Sequence, residues 1–321
     1  MAETGKVRLA LAGDTMLGRR VAETIVRDGP ESLFAEEVIA LTQGADLFVL
    51  NLECCISERG TSWPDPRKPF FFRAPPAATE VLTRLGADCV TLANNHALDF
   101  GPEALLDTFD HLRQVGVAWV GAGRNRQEAR APVILEKNGL RLGVIGCSDH
   151  PREFAAGPAS PGIAYVDLQR GPGWLPGAIS RLEVDAVLVA PHWGPNMIPE
   201  PRPYVRRGAE ALRAAGATLV AGHSAHLFHG VRRGVLYDLG DFIDDYAVAR
   251  ERNDLGLLFF VTLDKHGPIR LEAVPLKLEY CHTRLADSEE ADSIRDRFRV
   301  ACAALGTNVA DENGRFVVVW R

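Results

Sequence analysis

Cys89–Gly101 reads CVTLANNHALDFG. Its first half is apolar and β-prone, the pattern of an interior strand. The run breaks at Asn94-Asn95-His96. Gly101-Pro102 then opens an amphipathic helix with apolar positions at Leu105, Leu106, Phe109 and Leu112. A buried strand ending in a carboxamide–imidazole pair at the head of a helix is how α/β folds present chemistry at strand ends. Taken alone, the three polar residues read equally well as an Asx-rich turn, because asparagine favours turns for backbone reasons.

Outward from this stretch the same unit recurs. Val7–Ala12 is a short apolar strand that runs into Gly13-Asp14-Thr15-Met16. Ala45–Leu50 is a strand ending in Asn51-Leu52-Glu53, and Val184–Ala190 leads into Pro191-His192-Trp193-Gly194. Thr218–Ala221 leads into Gly222-His223-Ser224-Ala225-His226, and Val235–Leu239 into Gly240-Asp241-Phe242. Asn138-Gly139 predicts a hairpin turn within 132–146. A second hairpin is expected over Asp264–Gly267, a helix over 288–305 and a last strand over 315–320. Residues 148–176, rich in Gly and Pro, predict a long surface excursion.

Strand–helix alternation with hairpins between and after predicts two stacked mixed sheets flanked by helices. No repeat, low-complexity tract or clean linker divides the chain. The expected organisation is one domain over 1–321, with the motifs inside 7–262 and a strand and helix extension over 263–321.

Composition narrows the function. The chain has 321 residues, 46% of them hydrophobic, with a net charge of −6 and a mean hydropathy of −0.04. Interspersed acids and bases argue against a dedicated nucleic-acid binder, which shows a basic stripe. No apolar run approaches the roughly 20 residues needed to span a bilayer. The first residues carry no apolar signal-peptide core, so the expected compartment is the cytoplasm. Six cysteines, at 54, 55, 89, 147, 281 and 302, have no framework spacing and read as buried free thiols. Without a CxxC pair, a structural zinc ribbon is not expected.

Five strands thus end in residues of metal-ligand type: Asp14, Glu53, Asn95-His96, His192, and His223 with His226. Sites in open α/β sheets form beyond the carboxyl ends of strands, so these groups are expected to converge. Carboxylates, a carboxamide oxygen and imidazoles suit Mn, Fe or Zn rather than a thiolate-selecting metal. Arg19, Lys68 and Arg73 are candidate contacts for an anionic substrate. Trp193 reads as a packing aromatic and His229 as a strand-surface residue. Asp241, Asp244 and Asp245 read as groups that cap and orient neighbouring histidines.

The motifs GDTMLGR (Gly13–Arg19), NLE (Asn51–Glu53), LANNHALDFG (Leu92–Gly101), HWG (His192–Gly194), GHSAH (Gly222–His226) and LGDFIDDY (Leu239–Tyr246) resemble the CapA family of bacterial capsule and poly-γ-glutamate synthesis proteins. That family is related to the calcineurin-like metallophosphoesterases. The resemblance implies a four-layer α/β/β/α sandwich. It implies a bridging carboxylate at Glu53, with Asn95, His192 and His223 on one metal and Asp14 and His226 on the other. It implies that His96 protonates a leaving oxygen or stabilises phosphoryl charge. The superfamily's first motif is Asp-x-His, whereas the third position here is Met16. A thioether is a poor ligand for hard divalent ions, so that metal position is one ligand short, and one or two ions are expected.

The leading functional expectation is a metal-dependent hydrolase acting on a phosphoester or a polyanionic substrate related to capsule or poly-γ-glutamate. Its partner would be a small molecule, a peptide or an anionic polymer. A proton-transfer enzyme, such as a peptide or amino-acid epimerase using the same pocket, is the alternative. A non-catalytic subunit of polymer synthesis is a second alternative.

Overall fold

The computed structural model describes residues 5–321. Its larger sheet runs Ala310–Glu312, Arg315–Val319, Gly267–Glu279, Leu255–Asp264, Lys6–Thr15, Leu47–Leu52, Cys89–Thr91 and Ala118–Val120 from edge to edge. The last four strands are mutually parallel, and the others join them antiparallel. The smaller sheet runs Val231–Arg232, Val235–Leu236, Leu219–Ala221, Ala186–His192, Leu140–Ser148 and Val133–Lys137, with its central strands parallel.

The layering follows from the period-two alternation of apolar side chains. Leu9 and Leu11 of the first strand, with Leu47 and Val49 of its neighbour, join a core between the two sheets, facing Leu142, Val144 and Leu188 of the smaller one. Ala10, Ala12, Phe48 and Leu50 point the other way, onto helix residues Val21, Ile25, Leu105 and Phe109. Ile145, Cys147, Val187 and Val189 form a third core, with Val205, Ala209 and Leu212 of the helix Pro203–Ala214. Helix, sheet, sheet and helix are therefore stacked in that order, the four-layer sandwich of mixed sheets that the sequence predicts. Each buried aliphatic chain of this kind contributes about 1.5–3 kcal/mol over its exposed state.

Residues beyond 262 are woven into this frame. Leu255–Asp264 and Gly267–Glu279 form the expected hairpin beside the first strand. The helix Ser288–Ala303, opened by a capping box between Asp287 and Glu290, places Ile294, Phe298 and Cys302 in the core between the sheets. Asn138 and Gly139 both have positive φ, as the tight hairpin turn requires. All six cysteines are free and buried. Among the described residues, no helix is long and apolar enough to cross a membrane.

One expectation is corrected. Residues 148–176 are not a surface excursion: Phe154, Ile163, Val166, Leu168 and Leu175 are buried. Gly162–Ile163 pairs with Ala122–Gly123, and the Val166 N–H donates to the Ser148 carbonyl. Apolar residues spaced irregularly between glycines and prolines give no periodic signal, yet they bury surface just as well.

The strands that end together depend on one close approach. A β-bulge at Gly13 shifts the first strand's pairing with Leu47–Leu52 before Asp14, and Asp241–Ile243 lies parallel against that bulged end. The Asp14 N–H donates to the Gly240 carbonyl at 2.9 Å. A Cβ on Gly13 would lie 1.8 Å from that same oxygen. Gly13→Ala is therefore expected to lower stability by about 3 kcal/mol, the upper end of overpacking costs, as read by denaturant midpoint. A midpoint unchanged from the parent protein would show that the approach is not a constraint.

Candidate metal centre

The bulged strand end turns the Asp14 carboxylate, fully buried, towards the ends of strands from both sheets. From the smaller sheet, His223 Nδ1 lies 3.3 Å from Asp14 Oδ1, and His226 Nδ1 lies 3.3 Å from Oδ2. The Ser224 N–H donates to Oδ2 at 3.2 Å. From the larger sheet, Asn51 Nδ2 donates to Asp14 Oδ1 at 2.7 Å. Asn94 Nδ2 in turn donates to Asn51 Oδ1 at 3.0 Å and to the Leu52 carbonyl at 2.8 Å. Asn94 is thus a turn residue that ties neighbouring strand ends, and it frees Asn95 and His96 to face the cleft.

The turn carrying the last two histidines is conformationally forced. Ser224 and His226 have φ of 109° and 57°, a region costly for side-chain-bearing residues. Asp238 holds it by accepting from the Ala225 N–H at 2.8 Å and the Gly240 N–H at 2.9 Å. Trp193 packs as expected, 2% exposed, with Nε1 donating to the Tyr237 carbonyl.

Two groups of three residues bring ligand atoms within 4.8 Å of one another: Asp14, Glu53 and His192, and Asp14, His226 and Asp241. The carboxylate common to both is Asp14, whereas the resemblance implied a bridge at Glu53. Three buried atoms of ligand type have no hydrogen-bond partner at this cluster, Glu53 Oε1, Asn95 Oδ1 and Asp241 Oδ2, while His223 Nδ1 faces Asp14 Oδ1 at 3.3 Å. Buried polar atoms are ordinarily satisfied, so unpaired oxygens around one cluster of carboxylates and imidazoles fit a divalent cation. The mixed oxygen and nitrogen set suits Mn, Fe or Zn.

The electrostatics agree. Burial raises the Glu53 carboxyl well above its usual range, and the Asp14 charge raises it further. Burial also raises Asp241 well above the usual range, against the opposing pull of His226. Burial works to raise Asp14 too, but the imidazoles of His223 and His226 outweigh it and hold that carboxyl well below the usual range. Carboxyls packed this closely keep protons unless a cation replaces them.

His96 stands beside the cluster, with Nε2 3.9 Å from Glu53 Oε1. Its Nδ1 is bound by Asp99 Oδ2 at 2.6 Å, and the ring sits edge-on to Phe72 at 4.4 Å. Asp99 is fixed by the Phe72 N–H at 2.6 Å and by Lys68 Nζ at 2.9 Å. Burial lowers the His96 pKa to about 4, Asp99 notwithstanding. The resting imidazole is therefore neutral near pH 7 and receives a proton before it can give one.

The cleft in front of these groups holds about 400 Å³ and is lined by Lys68, Phe70, Asn95, His96, His226 and Tyr246, among others. Arg19 stacks over Phe70 at 4.8 Å, and its Nε pairs with Asp245 at 3.2 Å. Its Nη1 is buried without a partner. Arg73 is not brought to this cleft: its guanidinium covers Phe100 at 4.2 Å. Its two-residue strand turns it to the side opposite the expectation drawn from charge alone. His229 is buried rather than on a strand surface, with Nε2 donating to the Ile198 carbonyl at 2.7 Å. Asp241 does orient His226, at 2.8 Å, but Asp244 accepts from the Tyr246 N–H and Asp245 from the Arg20 N–H. Neither hydrogen-bonds a histidine.

Asp99 and Asn51 are the residues to which the motifs assigned no part in this cluster. The i,i+3 spacing of His96 and Asp99 was a usable signal for the first. Burial holds a proton on Glu53 that a cation bound there would displace, so Mn²⁺ is expected to raise the thermal midpoint, and more at about pH 8 than at about pH 6. Differential scanning fluorimetry with and without chelator reads this, and a shift of equal size at both pH values would contradict it.

Sequence comparisons agree with the site's motifs. The model of the family described as bacterial capsule synthesis protein PGA_cap matches residues 8–246. Capsule biosynthesis protein CapA of Bacillus anthracis is 28% identical over 288 residues, covering 86% of this chain and 69% of that protein. PGA biosynthesis protein CapA of Bacillus subtilis (strain 168) is 26% identical over 310 residues, covering 92% and 79%. Among solved structures, the NAD nucleotidase of Haemophilus influenzae overlaps 91% of this chain and 55% of its own, with a TM-score of 0.44 and 10% identity. The span of the family match, which holds every strand-end motif described above, makes this chain a member of the bacterial capsule synthesis family that includes CapA.

Proposed function

We propose that this chain is a metal-dependent hydrolase acting on a phosphoester or a related polyanionic substrate of capsule or poly-γ-glutamate synthesis. The observation that carries the reading is the pair of unpartnered, buried ligand oxygens on Glu53 and Asn95, beside Asp14 with its imidazoles and a neutral His96. In this reading Asp14, Glu53, Asn95, His192, His223 and His226 hold the ion or ions. A bound divalent ion supplies Lewis-acid polarisation of the phosphoryl oxygen and lowers the pKa of water.

The chain's own residues do the rest. Asp99 takes the hydrogen bond from His96 Nδ1–H, which leaves the Nε2 lone pair directed at the cluster. His96 accepts a proton at Nε2 from the attacking water and returns it to the leaving oxygen. Its acid role therefore follows its base role. Lys68, donating to Asp99 and to the Asn95 carbonyl, holds that pair in place. The unpartnered Nη1 of Arg19, whose guanidinium lies over the cleft-lining Phe70, supports a role in anion binding.

The neutral state of His96 also favours a second reading, proton abstraction from an acidic Cα in an epimerase. The same Nε2 lone pair would accept that proton.

The hydrolase reading predicts turnover of a generic aryl phosphate that depends on added Mn²⁺ or Zn²⁺. His192→Ala should abolish it, and His96→Asn should lower kcat by about 10²–10⁴, the usual worth of an acid–base group. Full turnover after exhaustive chelation would overturn the metal mechanism. Solvent deuterium entering a substrate Cα with no phosphate released would favour the epimerase. A further expectation concerns Arg19→Ala, which should raise KM for anionic substrates with little change in kcat; steady-state kinetics that show the reverse split would remove Arg19 from substrate binding.

A further inference from the structure

Met16 stands at the position where the resemblance implies a ligand. Met16 is fully buried and packs in the core between the larger sheet and its helices, and its N–H donates to the Ile243 carbonyl. The acceptor belongs to the short strand Asp241–Ile243, which pairs in parallel with the first strand so that Asp14 and Asp241 are direct register partners. Neighbouring strands lie about 4.8 Å apart and present register partners on the same face. A ligand lost two residues along one strand is thereby replaceable by a ligand one strand to the side.

The geometry points to that replacement, and we propose that Asp241 is a metal ligand, completing with Asp14 and His226 a carboxylate-rich ion position distinct from the one formed by Glu53, Asn95, His192 and His223. The proposal rests on the metal-dependent reading above and extends it to a residue that reading leaves out. Donor atoms around one ion at about 2.1 Å stand about 3.0–3.4 Å from each other in octahedral or tetrahedral arrangement. His226 Nδ1 stands 3.3 Å from Asp14 Oδ2, within that range, and its 2.8 Å approach to Asp241 Oδ1 is a hydrogen bond. A hydrogen bond from His226 accounts for one Asp241 oxygen only. The other, Oδ2, is buried and has no partner, in a residue only 2% exposed. All three donor residues lie within 4.8 Å of one another. Two carboxylates and one imidazole make a harder ligand set than the imidazole-rich side, so this position suits Mn²⁺-like ions better than thiophilic ones.

The test is metal content on the full chain, stripped with chelator, reloaded with Mn²⁺ and desalted. The parent protein is expected to retain two ions per chain and Asp241→Ala one, while His223→Ala loses the other ion. Two ions retained by Asp241→Ala, or a single ion in the saturated parent, would overturn the inference and leave the hydrolase reading standing. No ion in the parent would overturn both. Should Asp241→Ala fail to fold, Asp241→Cys loaded with Co²⁺ gives an independent readout. A thiolate ligand produces an intense near-ultraviolet charge-transfer band that the parent, whose six cysteines are free and buried, lacks. A correctly folded Asp241→Cys protein that binds Co²⁺ without that band would exclude residue 241 from the coordination sphere.

Discussion

One buried carboxylate joins the two sheets. Asp14 belongs to the larger sheet, yet two of its contacts, the imidazoles of His223 and His226, come from strand ends of the smaller one. It also accepts from Asn51 of the adjacent strand and from the backbone of Ser224. A fully buried carboxylate is tolerated only when its charge is matched, so these contacts are a condition of the fold as well as of the site. The neighbouring carboxyls of Glu53 and Asp241 are raised because their burial outweighs the opposing charge of His226. The imidazoles of His223 and His226 hold Asp14 in its charged form.

The frame around Asp14 is rigid for identifiable reasons. The absence of a side chain at Gly13 lets the Gly240 carbonyl approach. Asn51 and Asn94 cross-link three strand ends through side-chain amides. Asp238 pins the strained turn at Ser224–His226 through two backbone N–H groups. Site residues placed on strand ends and locked by such partners lose little entropy on taking up a ligand. The same logic applies to His96, whose tautomer is set by Asp99, itself fastened by Lys68 and the Phe72 N–H.

Membership in the capsule synthesis family and the geometry of this cluster bear on each other. The relatives' names describe polymer synthesis, and the strand-end cluster gathers buried carboxylates and imidazoles that could hold a metal ion. Lys68, which lines the cleft, packs against Phe71, and Arg19 lies over the cleft-lining Phe70.

Much of this was legible in the chain itself. Apolar runs alternating with helical segments foretold two mixed sheets flanked by helices, and polar residues at the ends of those runs foretold where chemistry would gather. Asn94-Asn95-His96 could be read as a turn or as a site, and it proved to be both: Asn94 ties strand ends, while Asn95 and His96 line the cleft. What the sequence could not show was lateral register. Asp14 and Asp241 lie 227 positions apart in number, and only strand pairing makes them partners. Nor could it show direction. Met16 points into the core, Arg73 onto Phe100 and Asp245 onto Arg19, because side-chain orientation depends on bulges and packing rather than on residue type. Residue chemistry and periodicity are local properties that a sequence carries whole, whereas pairing between distant strands exists only once the chain has closed on itself.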